Sequence, residues 1–211
     1  MKRLKKITDV EILELVTTVL SHYICLQTIS PRIKTRSFLQ TLAGIAAARS
    51  SIHAFTRKFE AGLTALQMRY HLTKYHLTDV EIALNQALQH YVPPAFRRSK
   101  APYKLAIDFH DHPYHGLPEK DATEICRGKA KSGTTHFHTY ATVYCIKQGK
   151  RYTLALKFIR NTMSLVEVLQ ALLAEVHTLG LPIKRLFLGS FSPSKSSLFC
   201  SAMPFPSLCP P

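Results

Sequence analysis

Lys104-Leu-Ala-Ile-Asp108-Phe-His-Asp-His-Pro-Tyr-His115 is the stretch whose reading decides the fold. Three apolar residues, Leu105, Ala106 and Ile107, lead into Asp108. A second acid, Asp111, and three histidines, His110, His112 and His115, come next before Gly116 turns the chain. A short buried strand that delivers a carboxylate to its end is a common way to hold a metal ion or a general base. The residues before this stretch read as helical and basic; those after it read as the continuation of a sheet.

Downstream, the spacing predicts a strand over 104–109 and then a loop rich in glycine, proline and charge as far as Gly133. From Thr135 the residues alternate, with His136, His138, Tyr140, Thr142 and Tyr144 on one face and Phe137, Ala141, Val143 and Cys145 on the other. A turn at Gln148-Gly149 and a partner strand over 152–159 complete a hairpin. Ser164-Leu-Val-Glu167 is a capping box opening a helix with Leu165, Val168, Leu169, Leu172, Leu173 and Val176 as its apolar side. Gly180 ends that helix, and Pro182 prevents its continuation. Ile183 to Leu188 reads as another buried strand. This order predicts a mixed α/β layer, its first and last strands adjacent and parallel, with a helix packed across one face.

Upstream, Thr8-Asp-Val-Glu11 is a capping box for a helix over 9–26, in which Ile12, Leu15, Val16, Val19, Leu20 and Tyr23 recur at helical spacing, with Ser30-Pro31 beyond its end. Further helices are expected over 37–48, 51–60 and 63–75. A last one opens at a third box, Thr78-Asp-Val-Glu81, and turns Val80, Leu84, Ala87, Leu88 and Tyr91 inward. On the 63–75 helix, polar residues at 67, 71 and 74 share a face, the arrangement by which a recognition helix meets phosphates and base edges; Arg69, His71 and Lys74 are its candidate contacts. Pro93-Pro94 followed by Arg97, Arg98, Ser99 and Lys100 marks a boundary. The expected organisation is an all-α DNA-binding domain over 1–92, a linker over 93–102, a sheet domain over 103–188 and a Ser/Pro-rich tail over 189–211.

The charge balance narrows the partners. Against 13 Asp and Glu stand 28 Lys and Arg, a formal +15 over 211 residues, and an excess of that size favours polyanions, nucleic acid first and an anionic membrane second. The five cysteines are scattered with no C-x-x-C pair, as suits reduced thiols in a cytoplasmic protein. The basic start is interrupted by Asp9, Glu11 and Glu14, so no export signal is expected, and no stretch is apolar enough to predict a membrane span.

Two chemistries fit the 104–115 stretch. Asp108, His110 and His112 alternate along an extended segment and could take a transition metal from one side, with His115, His136 and His138 as further ligands, as in a His-rich metal-dependent hydrolase. Alternatively Asp108 alone matters. A carboxylate on a central strand, joined by a second acid at the end of a neighbouring strand, holds Mg²⁺ ions for in-line phosphoryl transfer. That version demands a partner acid after the 183–188 strand.

Several blocks in order resemble the insertion-sequence DDE transposases with a ribonuclease H-like catalytic core: Leu105-Ala-Ile-Asp108 with Pro113-Tyr-His-Gly116, Arg127-Gly-Lys-Ala-Lys-Ser-Gly-Thr-Thr-His-Phe-His-Thr-Tyr-Ala-Thr142, Gly149-Lys-Arg-Tyr-Thr-Leu-Ala-Leu156 and Ile183-Lys-Arg-Leu-Phe-Leu188. Met68-Arg-Tyr-His-Leu72 with the helix after it resembles the helical region preceding that core. The resemblance implies DNA strand cleavage and transfer at transposon ends, with Asp108 as the first catalytic aspartate and Mg²⁺ ligand. It also implies phosphate contacts from Arg127, Lys129 and Lys131, beside those of Arg97, Arg98 and Lys100. The expected partners are DNA bearing terminal inverted repeats and, as a homo-oligomer, further copies of the chain. The family's second aspartate comes after the fourth strand, yet here Leu188 is followed by Gly189. Its third acid would lie further on. The reading is therefore a partial ribonuclease H-like core, truncated or frameshifted after 188 and catalytically inactive, with a DNA-binding remnant that represses transposition as the alternative.

Overall fold

The computed structural model describes residues 8–24, 33–59, 62–99, 101–117, 122–147 and 149–189. The chain divides into two compact units, Met1–Ala87 and Leu88–Pro211. The Ser/Pro-rich tail from 190 on, Lys100, the Ser30-Pro31 segment and Gln148 lie outside the described residues.

In the first unit the described elements are helices: α1 (Asp9–Tyr23), α2 (Thr35–Ala47), α3 (Ile52–Phe59), α4 (Ala65–Leu72) and most of α5 (Leu77–His90). Thr8 caps α1 through the expected box, accepting from the Glu11 amide while the Glu11 carboxylate takes the Thr8 amide. Phe38, Leu39, Leu63 and Met68 form the core with Ile33, flanked by Leu20, Leu42, Ile45, Ile52, Leu72 and Tyr75. Gly44 lets α3 approach α2, since a Cβ there would lie 2.6 Å from the Phe55 ring.

Three helical expectations are corrected. The apolar residues at helical spacing on α1 divide: Val19, Leu20 and Tyr23 are half-buried and Leu20 packs on the core, but Ile12, Leu15 and Val16 are exposed, whereas Thr17 is buried with its hydroxyl donating to the Leu13 carbonyl at 2.7 Å. Apolar residues stand on several sides of α1, so period alone cannot choose a face, and Thr17 satisfies its own hydroxyl within the helix. The box at Thr78 does not cap α5, because the helix already begins at Leu77, with the Asp79 and Val80 amides donating to the His76 carbonyl. Glu81, Ala83, Asn85 and Ala87 are its buried residues, and Tyr91 is exposed. The box that does form nearby is Thr64 with Gln67, opening an α4 shorter than expected.

The second unit holds α6 (Pro94–Arg97), β1 (Tyr103–Pro113), β2 (Cys126–Lys131), β3 (Thr134–Lys147), β4 (Lys150–Ile159), α7 (Leu165–Thr178) and β5 (Ile183–Leu188). The expected hairpin is β3 and β4, antiparallel, with Thr142 opposite Leu156. β1 pairs antiparallel with β3 and parallel with β5, so the sheet runs β2-β3-β1-β5 with β4 also on β3. The first and last predicted strands are thus adjacent and parallel, as expected. The 110–133 loop is corrected: β1 continues to Pro113, and β2 pairs with β3 through Cys126 opposite Phe137. β2 escapes the pattern because Arg127, Lys129 and Lys131 give it a charged exposed row, common on an edge strand.

Alternation divides the sheet into two faces. Tyr103, Leu105, Ile107, Ala141, Val143, Cys145, Leu154 and Leu186 bury one of them under Val168, Leu172 and Val176 of α7, which recur every fourth residue. The residues read as a linker, 93–102, include α6, whose Phe96 is buried in this core, stacked on Tyr103 at 5.1 Å. Among the described residues no helix is long and apolar enough to cross a membrane.

Candidate functional site

Asp108 lies on the other face, in the middle of β1. Register sets it opposite Thr142, with His110 opposite Tyr140 and His112 opposite His138, so the three side chains expected to share a face do so. Strand alternation alone produces this row. The Asp108 side chain is 40% exposed, with His110 Nε2 3.6 Å and the Arg151 guanidinium 4.0 Å from its Oδ2. Arg151 comes from β4, where it donates to Thr142 Oγ at 3.3 Å and lies over the Tyr144 ring, 3.7 Å from its centroid. His110 Nε2 also lies 3.3 Å from that hydroxyl, and its ring stacks on Tyr140 at 4.8 Å. Asp111 points to the opposite side and accepts from Thr139 Oγ at 2.9 Å, which makes it a structural acid.

The parallel pairing of β1 with β5 delivers residue 189 to Asp108. The Gly189 amide donates to the Ile107 carbonyl at 2.7 Å, and a Cβ at 189 would stand 3.4 Å from Asp108 Oδ1. Position 189 is therefore where a second carboxylate would meet the first, and glycine leaves it without one. A two-ion magnesium centre does not fit the residues present. Asp108 is the one acid that register places on this face among the described residues, and a guanidinium stands where a cation would balance it. Nor do any three His, Cys, Asp or Glu side chains come together in a metal-holding group among the described residues. No protein-family profile matches the chain, and neither the curated proteins nor the solved structures give a significant match.

The predicted DNA contacts fall on both units. In the first, Arg69 is exposed on α4, and Lys74 lies over the Tyr70 ring at 4.2 Å. His71, expected beside them, is only 4% exposed and sits edge-on to Phe38 at 6.0 Å, so it is a core residue of its unit. In the second unit Arg97 and Arg98 are exposed, Arg97 donating to the Gln89 carbonyl at 2.9 Å. Arg127, Lys129 and Lys131 are exposed on β2. Arg127 stands opposite His136 and Lys131 opposite Thr134, which places both on the Asp108 face. Arg151 is not among the residues expected from sequence. Its signal there is its place two residues past Gly149, at the start of the strand that returns antiparallel beside β3.

Proposed function

We propose that the chain is a DNA-binding protein of the insertion-sequence DDE transposase type: a helical DNA-binding region followed by a partial ribonuclease H-like core that binds DNA without cutting it. The single observation that carries the reading is the meeting of Asp108 and position 189 across the parallel pair β1 and β5. The strand order, with an antiparallel β1-β3-β4 meander and α7 crossing to a parallel β5, supports the same core. The formal charge of +15 supports a nucleic-acid partner.

Inactivity follows from the donor set. One carboxylate shared with Arg151 and His110 cannot hold two strongly hydrated Mg²⁺ ions in place for an in-line displacement. Binding without cutting suits a protein that occupies transposon ends and represses transposition, and the Arg151 guanidinium beside Asp108 favours this repressor reading. The test is selection from a randomised duplex library with the purified chain, followed by a Mg²⁺-dependent nicking assay on the selected duplex. Enrichment of a sequence found in the inverted repeats flanking the chain's own coding region, with no nicking, supports the proposal. Recovery of random duplexes only, or nicking that Asp108→Ala abolishes, refutes it.

A further inference from the structure

The Asp108 face of the sheet is uncovered within its own unit: among the described residues α7 and α6 both pack on the opposite face. It is also an unusual surface in composition. Register places Tyr140 and Tyr144 on β3 and Phe187 on β5 along it, and Phe187 is 41% exposed. The cations Arg151 and Arg185 stand on the same face, where Asp108 is the one acid that register places among the described residues. Two of the rings already carry a flat partner, Tyr144 under the Arg151 guanidinium at 3.7 Å and Tyr140 under His110 at 4.8 Å.

Rings on β3 and β5, either side of β1, with Arg151 on β4 and Arg185 on β5 beside them, match unstacked bases and the phosphates that link them. Duplex DNA hides its base faces within the helix, so it can use the cations of such a surface but not its rings. A single strand can use both, stacking bases on aromatic and guanidinium planes irrespective of sequence. We infer that this open sheet face binds single-stranded nucleic acid across Phe187, Tyr140 and Tyr144, with Arg151 and Arg185 on the phosphates. The inference deepens the DNA-binding proposal by naming the form of DNA that this face takes, and it rests on that proposal only for the biological setting.

The experiment is fluorescence anisotropy with the full chain and a labelled 20-nucleotide oligothymidine, with a duplex of equal length as competitor. The chain contains nine tyrosines and no tryptophan, so quenching of its tyrosine emission reads stacking in the same titration. Tyr144→Leu and Phe187→Leu, which keep apolar bulk and lose the ring, are each expected to weaken binding roughly tenfold. Tyr144→Phe is expected to retain it, and circular dichroism confirms that each variant folds. Binding that is unchanged in both leucine variants, or duplex that competes mole for mole with oligothymidine, overturns the inference. Oligothymidine binding without any selected duplex sequence leaves the inference standing and removes the transposon-end reading; the converse result does the opposite.

Discussion

The two faces of one sheet differ in every respect that sequence alternation controls. On the α7 side, Leu105, Ala141, Val143, Leu154 and Leu172 are fully buried, and even the Cys145 thiol is sealed in, its pKa pushed by burial from 9.0 to about 11. On the other side register gathers tyrosines, histidines and arginines with Thr142 and Leu156 around Asp108, the one carboxylate placed there among the described residues. The difference teaches that the same β-strands are held by one face and are free to be chemical on the other, since stability drawn from packing leaves the open row unconstrained.

The comparison breaks first if the core face is not the source of stability. Leu172→Ala should cost about 2–5 kcal/mol in urea unfolding, because a fully buried leucine leaves both lost transfer energy and a cavity. Phe187→Leu on the open face should change stability by under about 0.5 kcal/mol; equal losses from the two would end the distinction. The cap of α7 comes next. Ser164 and Glu167 satisfy each other's amides, and those hydrogen bonds hold the Glu167 carboxyl below its ordinary range. Ser164→Ala should therefore cost about 1 kcal/mol. It should also flatten the stability change as pH falls below the ordinary glutamate value, since a depressed carboxyl contributes above that value and loses its contribution on protonation.

At the alkaline end the sign reverses. Cys145 holds its proton more tightly folded than unfolded, so its contribution is intact below pH 9.0 and is lost as pH rises toward about 11. Thermal unfolding across that window should show a smaller alkaline decline in Cys145→Ala than in the parent. The smallest effect belongs to the helical unit, where the Tyr75 hydroxyl is buried with no hydrogen-bond partner among the described residues. Tyr75→Phe should leave stability unchanged or raise it by up to about 1 kcal/mol, since it removes a desolvated group and no bond. A marked loss would mean that the hydroxyl has a partner in solution.

The sheet was legible because its period is two and its punctuation is unambiguous. Phe137 to Cys145 alternates without a fault, the Ser164 box opens α7, and Gly180 closes it at a positive φ of 64°. β2 was not legible, since Cys126-Arg-Gly-Lys-Ala-Lys131 has no apolar row and is a strand only because β3 offers it an edge. In the helical unit the boundaries came close, but the faces did not. Thr17 and His71 are buried while Ile12 and Leu15 are exposed, and such choices depend on neighbours that no local pattern specifies. At the site, Asp108 was readable as a carboxylate on a central strand. Its contacts with Arg151 and its closeness to position 189 arise from strand pairing between residues far apart in the chain.

The proposed engagement of DNA without cutting can be tested in one gel. The most direct measurement places the purified protein on a supercoiled plasmid carrying its selected duplex sequence, with Mg²⁺, and scores retention and nicking in the same gel. A retained plasmid that stays supercoiled is expected, in the parent and in Asp108→Ala alike. A plasmid that is not retained, or one nicked by the parent and left intact by Asp108→Ala, would contradict it.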